Sequence, residues 1–123
     1  MSRSRALRRA GTRVLAGVFA GWGAVLLTRP DAVSHAVSAG GPEPARWVVR
    51  LLGGRLLAQH AVVLLRPTRG PVLTGAAVDV LHAASMVGVA AWWREYRRPA
   101  LVSGATAVLS GLLPALIVPR ADR

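Results

Sequence analysis

Residues 47–65 read WVVRLLGGRLLAQHAVVLL, an apolar stretch that carries two arginines, a glutamine and a histidine. Its length is close to the ~20 residues that an α-helix needs to cross the hydrocarbon core of a bilayer. Its ten valines and leucines each favour insertion by about 0.3 to 0.6 kcal/mol, whereas one central arginine opposes it by about 2.5 to 3.5 kcal/mol. Arg50 lies near the start of the stretch, so its long side chain can reach the interface. Arg55 lies at the midpoint, so we expect it to have a partner inside a helical bundle.

Three further stretches have the composition of membrane spans. They cover residues 14–28, 71–93 and 100–119. The connections over residues 66–70 and 94–99 are short, so we expect the second, third and fourth spans to be antiparallel neighbours. Residues 31–39 predict a short amphipathic helix in the headgroup zone. The sequence therefore predicts an all-α, four-transmembrane-helix bundle in a single domain, with a basic N-terminal tail over residues 1–13.

The 123 residues include sixteen arginines, no lysine and five acidic residues, which gives a net charge of +11. Such a charge is typical of nucleic-acid binding when the basic residues cluster on one surface. Here the arginines lie at the start of the chain and between the apolar stretches, as they do in membrane proteins. We therefore expect the lipid bilayer, and no nucleic acid, as a partner. The absence of cysteine excludes disulfides and thiolate metal sites.

The arginines also predict the orientation of the spans. If the N-terminus lies inside, the inner segments hold nine arginines: Arg3, Arg5, Arg8, Arg9, Arg13, Arg66, Arg69, Arg120 and Arg123. The outer loops hold five: Arg29, Arg46, Arg94, Arg97 and Arg98. This distribution favours the cytoplasmic (inner) cell membrane with both termini in the cytoplasm. A cleaved signal peptide ending near residues 37–39 is the alternative, but its spacer is long and Pro30 interrupts it.

A polar cluster is predicted halfway through the second and third spans. In an antiparallel hairpin that turns at residues 66–70, Arg55 lies within two residues of the depth of Asp79, about 3 Å along the axis. Asp79 and His82 share one helix face, and Arg55 and Gln59 share another. The geometry therefore predicts an intramembrane cluster of Arg55, Gln59, Asp79 and His82. The guanidinium is expected to hold the carboxylate in a bidentate fork.

Two interpretations of this cluster stay open. The cluster either has a structural role and holds two spans together through polar contacts, or it is a proton or ligand site. Charged residues at membrane depth often belong to such sites. His60 and His82 differ by about 9 Å in height, which does not suit two axial ligands on one haem iron. The sequence predicts no metal site, no cofactor and no catalytic residue.

Aromatic and small residues suggest how the helices are placed. Tryptophans mark the outer boundary at the ends of two spans: Trp47, Trp92 and Trp93. Small residues recur at helical spacing in the first and fourth spans: Gly17 and Gly21, and Ser103, Ala107 and Gly111. They permit close helix contact, either within the bundle or between copies of the chain. The basic N-terminal residues are expected to set orientation, and they are also suited to anionic lipid headgroups.

Two motifs are similar to those of a known family. The chain resembles the small four-span bacterial membrane proteins called DoxX-like, through Gly53-Gly54-Arg55-x-Leu57, a short basic turn and Val78-Asp79-x-Leu81-His82. The resemblance implies the four-helix layout and no defined activity, although some relatives are partners of quinone-linked oxidoreductases. We expect a non-enzymatic accessory or interaction subunit of a larger membrane complex, or a homo-oligomer. The alternative is a small proton-sensitive transporter that uses Arg55, Asp79 and His82.

Overall fold

The computed structural model describes residues 2–120, which form α-helices joined by short connections. The elements are α1 (Arg3–Thr28), α2 (Pro30–Ser38), α3 (Arg46–Leu65), α4 (Arg69–Trp92), a 3₁₀ turn (Arg94–Tyr96) and α5 (Arg97–Ile117). Helices α1, α3, α4 and α5 (the last together with its 3₁₀ turn) are long and apolar enough to cross a bilayer, with mean hydropathies between 1.5 and 1.9. The predicted all-α fold of four spans and a short helix in the first loop is confirmed.

The first helix is longer than the predicted span, because it begins at Arg3 rather than at Val14. The described part of the expected basic tail is therefore helical. The Ser2 side chain caps the helix by accepting a hydrogen bond from the Arg5 amide at 3.4 Å. Arginine, alanine and leucine are strong helix formers, and residues 3–10 contain neither proline nor glycine. The arginines between residues 3 and 13 mark where the apolar part of α1 begins, but the helix itself already begins at Arg3.

Helix α2 begins at Pro30, directly after α1 ends, and it ends where Ala39 and Gly40 adopt positive φ angles of 47° and 85°. The fixed φ of proline suits the first turn of a helix, and glycine tolerates the left-handed region. The segment after α2 is tied back by Arg46, whose Nε and Nη2 donate to the Asp31 carboxylate at 3.1 and 2.6 Å. This exposed bidentate ion pair holds α2 to the first residue of α3.

The four long helices pack as two antiparallel pairs, α1 with α3 and α4 with α5. The second, third and fourth spans are antiparallel neighbours as predicted, but α3 packs mainly against α1 and touches α4 only sparingly. The α1–α3 pair is close because two glycines face each other. A Cβ on Gly23 would lie 2.7 Å from the Gly53 carbonyl oxygen, and a Cβ on Gly53 would lie 2.6 Å from that of Gly23.

Small residues also bring α4 and α5 together. A Cβ on Gly104 would lie 3.2 Å from the Met86 Cβ, and one on Gly111 would lie 3.0 Å from the Asp79 Cβ. The stripe of Ser103, Ala107 and Gly111 thus lies on the face of α5 that packs against α4, and Ala107 is buried. The other predicted pair differs, because no atom lies within 4 Å of a Cβ placed on Gly17 or Gly21. These two glycines lie on an exposed face of α1.

Polarity is inverted relative to that of a water-soluble bundle. The large side chains that are most fully buried are polar: His60, Thr12, Asp79 and Ser110. Large apolar side chains lie outside, and Trp92, Leu65 and Leu116 are 83%, 80% and 73% exposed. Exposed apolar area of this extent is unfavourable in water but favourable against acyl chains. The fold is therefore organised for a bilayer.

The interior is layered along the bundle axis. One apolar cluster, made of Ala16, Val63, Val72 and Val118, lies toward the end that holds the N-terminus of α1. A second cluster, made of Leu26, Val49 and Leu56, lies toward the end that holds α2. The buried side chains of His60, Asp79 and Ser110 lie between the two clusters and form a polar layer with Arg55 and Gln59. This polar layer contains the candidate functional site.

Candidate functional site

An ion pair joins α3 to α4 in the polar layer. Arg55 Nη1 donates to Asp79 Oδ1 at 3.1 Å, and Asp79 is completely buried while the Arg55 side chain is 27% exposed. The same Nη1 also donates to Gln59 Oε1 at 3.3 Å. The ion pair therefore links the two helix pairs, which also meet where α1 packs against α5 and in the apolar cluster of Ala16, Val63, Val72 and Val118.

The second oxygen of Asp79 is held by two further donors. Gln59 Nε2 donates to Oδ2 at 2.9 Å, and Ser110 Oγ on α5 donates to the same oxygen at 3.1 Å. Gly75 makes room for the glutamine, since a Cβ there would lie 2.9 Å from Gln59 Nε2. The carboxylate therefore accepts from three side chains on two helices, and a buried charge that is paired and hydrogen-bonded in this way is stable at membrane depth.

The structure joins Arg55, Gln59 and Asp79 in one hydrogen-bonded group, and His82 is not hydrogen-bonded to that group. His82 Nε2 makes a 2.8 Å hydrogen bond with Ser103 Oγ on α5, so the histidine links α4 to α5 and is not hydrogen-bonded to Asp79. The expected bidentate fork is also absent, because Gln59 and Ser110 occupy the second carboxylate oxygen. Sequence reasoning missed Ser110, whose only signal was its position one residue before the small residue Gly111.

His60 is the most isolated member of the polar layer. It is 1% exposed, and neither ring nitrogen has a hydrogen-bond partner among residues 2–120. Its ring lies 5.3 Å from that of Phe19, with an interplanar angle of 32°. A buried polar group without a partner destabilises a fold. Among the described residues, no group of three or more His, Cys, Asp or Glu side chains is placed to hold a metal ion.

A cavity of about 390 Å³ opens between the two helix pairs, on the side that carries α2. Its walls are almost entirely apolar, with Trp22, Leu26 and Val49 among the lining residues. Arg55, His82 and Ser103 also line it. Asp79 does not, so the cavity presents a cation and a histidine–serine pair but no carboxylate.

The three predicted tryptophan anchors lie at the end of the bundle that carries α2, where part of the cavity lining also lies. Trp47 is the second residue of α3, Trp92 ends α4 and Trp93 follows it, with exposed fractions of 69%, 83% and 55%. Exposed indole rings at span ends are favoured at the level of lipid headgroups. These positions place one membrane boundary beside α2.

No family model, curated protein or solved structure matches the chain. The class of protein follows from its own architecture. Four long apolar helices, polar side chains in the interior and tryptophans at span ends define a multi-pass integral membrane protein.

Proposed function

We propose that the chain is a non-enzymatic accessory protein of a larger membrane assembly, and that it holds an apolar or amphipathic molecule of the bilayer in its cavity. The cavity carries the ligand-binding part of this proposal, because about 390 Å³ lies within the range of small-molecule sites. An apolar lining with a few polar groups at one point suits a molecule that has an apolar body and one hydrogen-bond-accepting group. Arg55 and His82 are the side chains that would meet that group.

The arrangement of Asp79 supports a binding role over a chemical one. Its two oxygens accept from Arg55, Gln59 and Ser110, and Asp79 does not line the cavity, so a molecule held there does not meet the carboxylate. The polar network then acts as a lock between the helix pairs, and it fixes one wall of the cavity. A preformed wall lowers the ordering penalty when a ligand binds.

Trp22 lines the cavity and can report its occupation. We replace the other three tryptophans with phenylalanine and measure the quenching of Trp22 fluorescence by 9,10-dibromostearate in detergent. The double variant Val89→Phe/Val102→Phe narrows the cavity, whereas Val87→Phe/Val108→Phe adds the same volume outside it. We expect the first variant to lower quenching at least about twofold and the second to leave it unchanged. Equal quenching in both would contradict the binding site.

The accessory role has a separate test. Crosslinked affinity purification from native membranes, followed by mild detergent extraction, should recover a discrete larger partner with this chain. A chain that elutes alone after crosslinking would contradict an accessory role, whether or not the cavity binds a ligand.

The alternative function is a small proton-sensitive transporter. It is favoured by the presence of both Arg55 and His82 on the cavity wall, because a histidine beside a substrate path can change its charge near neutral pH. Reconstituted liposomes would then show pH-dependent flux that His82→Gln abolishes while the protein remains folded. The accessory proposal expects no such flux.

A cytoplasmic (inner) cell membrane with both termini in the cytoplasm remains our proposal for location. Its support is the arginine distribution, since arginines are enriched in cytoplasmic segments.

A further inference from the structure

The guanidinium group of Arg55 has donors that the polar layer does not use. Its Nη1 donates to Asp79 Oδ1 at 3.1 Å and to Gln59 Oε1 at 3.3 Å. Its Nε is buried without a hydrogen-bond partner among residues 2–120, and its Nη2 donates to no group in that part of the chain. Arg55 lines the cavity of about 390 Å³, and its side chain is 27% exposed. A molecule in the cavity can therefore offer this guanidinium an acceptor, which relieves an unsatisfied donor.

The positive charge of Arg55, in contrast to its donors, is already balanced. The Asp79 carboxylate is fully buried and forms an ion pair with it. No acidic side chain from residues 2–120 lines the cavity, and the other titratable residues that line it are His82 and Tyr96. His82 is hydrogen-bonded to Ser103. With His82 uncharged, an anion bound beside Arg55 would give the polar layer a net negative charge, which is unfavourable at membrane depth.

The depth of Arg55 also favours an uncharged ligand. Trp47 marks the membrane boundary at the start of α3, and Arg55 follows it by eight residues, or about 12 Å along the helix axis. A molecule with an ionised headgroup keeps that group near the boundary, because moving an ion into hydrocarbon costs far more than moving a neutral polar group. A ligand group that reaches Arg55 is therefore expected to carry no charge.

The lining of the cavity indicates the rest of the ligand. Each of the four long helices contributes apolar side chains to it, among them Leu26, Val49, Val89 and Val102. These side chains suit an apolar body. A carbonyl oxygen has two lone pairs and no proton to donate, so it matches a guanidinium group, which only donates.

We propose that the cavity binds an uncharged amphipathic molecule, such as an ester or a protonated fatty acid, through a carbonyl oxygen that accepts from Arg55. This inference rests on the proposed ligand cavity and adds the chemical class of its ligand. The donors of Arg55 select against a plain hydrocarbon, and the counter-charge of Asp79 selects against an anion. On this basis 9,10-dibromostearate binds in its uncharged acid form.

The test compares three brominated ligands by their quenching of Trp22 in the full chain whose other tryptophans are phenylalanine. The medium is an uncharged detergent at about pH 9, where a fatty acid is ionised. Methyl 9,10-dibromostearate is uncharged and has a carbonyl group, 9,10-dibromostearate is an anion at this pH, and 9,10-dibromooctadecane has no polar group at its end. Quenching in the variant Val89→Phe/Val102→Phe, which narrows the cavity, is subtracted for each ligand as the background from the micelle.

A pair of double variants tests the part played by Arg55. Arg55→Met/Asp79→Asn removes the buried ion pair as a whole, so that no unpaired charge is left behind. The control Arg50→Met/Glu43→Gln removes one exposed cation and one exposed carboxylate that do not line the cavity. The comparison of the three ligands does not use these variants, so it tests the proposal even if the first of them does not fold.

We expect the ester to bind at least about fivefold more tightly than either the alkane or the anion, because it alone supplies an uncharged acceptor. In Arg55→Met/Asp79→Asn the ester should bind no better than the alkane, and in the control its affinity should stay within about twofold of the parent. An anion or an alkane that binds as tightly as the ester would overturn the inference and leave the cavity as a binding site, and so would equal losses in the two double variants. If none of the three ligands quenches Trp22 beyond the background, the proposed ligand cavity itself falls.

Discussion

At the level of single residues, the Asp79 carboxylate depends on a guanidinium from one neighbouring helix and a hydroxyl from another. Removing Arg55 leaves a buried anion with two neutral donors, and removing the charge of Asp79 leaves a half-buried cation without its counter-charge. Breaking a buried pair from one side is more unfavourable than removing both members. The two residues are thus expected to be energetically coupled.

The coupling is measured with Arg55→Gln, Asp79→Asn and the double variant. We expect each single change to destabilise the folded protein by about 3 kcal/mol, and the double variant to recover about 1 to 3 kcal/mol of the summed loss. Reversible unfolding in mixed micelles gives the free energies. Strict additivity of the two single effects would contradict the pairing.

Replacing His60 is expected to stabilise the folded protein, whereas replacing Arg55 or Asp79 destabilises it. Because its two ring nitrogens are buried without partners, His60→Leu removes unsatisfied polar atoms and keeps an apolar contact with Phe19. We expect the free energy of unfolding to rise by about 1 to 3 kcal/mol, measured in the same micelles. His35→Leu, in exposed α2, serves as the control and should change little. A large loss of stability in His60→Leu would mean that the imidazole has a function that the packing does not reveal.

The contact between Arg55 and Asp79 could be predicted from the sequence, because it needs only the rule that residues at equal depth in a hairpin lie close together. Equal depth in a hairpin brings Arg55 near Asp79, and the structure places their atoms 3.1 Å apart. The rule applies only to the hairpin of α3 and α4, so it carries no information about α5. For that reason Ser110 was not found, and neither was the hydrogen bond between His82 and Ser103.

At the level of helices, the approach of α1 to α3 depends on Gly23 and Gly53. A Cβ on Gly23 would meet backbone atoms at 2.7 and 2.8 Å, which a side-chain rotation cannot relieve. We expect Gly23→Ala to lower the free energy of unfolding by about 1 to 3 kcal/mol, as overpacking does. Gly21→Ala is the matched control on the same helix, and there the added methyl meets no atom within 4 Å.

A different result is expected for the control variant Gly21→Ala. Alanine favours a helix over glycine by about 1 kcal/mol, so Gly21→Ala should be neutral or slightly stabilising in the monomer. Thermal unfolding compares the two variants under identical conditions. If Gly21→Ala is as harmful as Gly23→Ala, then the exposed glycines of α1 contact another molecule, which would favour a homo-oligomer.

Helix pairing was harder to predict than helix position. Short connections show that consecutive spans are antiparallel neighbours, but they do not show which of those neighbours pack closely. Close packing is decided instead by where backbones can approach, and glycines opposite each other join α1 to α3. Gly17 and Gly21 were predicted as a helix contact because of their spacing. The close contact of α1 with α3 instead uses Gly23, two residues after Gly21.

At the level of the whole molecule, charge is distributed unequally between the two ends. The acidic residues outside the polar layer, Asp31, Glu43 and Glu95, all lie at the end that carries α2 within the described chain. The opposite end carries seven arginines: Arg3, Arg5, Arg8, Arg9, Arg66, Arg69 and Arg120. This asymmetry is typical of a protein with one fixed orientation in its membrane.

Orientation is tested with single cysteines, because the chain has none of its own. We expect Glu43→Cys to react with a membrane-impermeant maleimide in intact spheroplasts. Ser4→Cys should react only after the membrane is permeabilised, since the arginine-rich end is expected inside. The reverse pattern would contradict the proposed orientation.

The ion pair also has a consequence for synthesis. A ribosome that has just released α3 from its exit tunnel has not yet exposed Asp79, which follows Arg55 by 24 positions, and the hydroxyl of Ser110 emerges later still. The insertion machinery therefore receives a segment that lipid alone accepts poorly, and it must retain that segment until its counter-ion arrives. Biogenesis of this protein is accordingly expected to proceed by delayed, paired release of α3 and α4 rather than one span at a time.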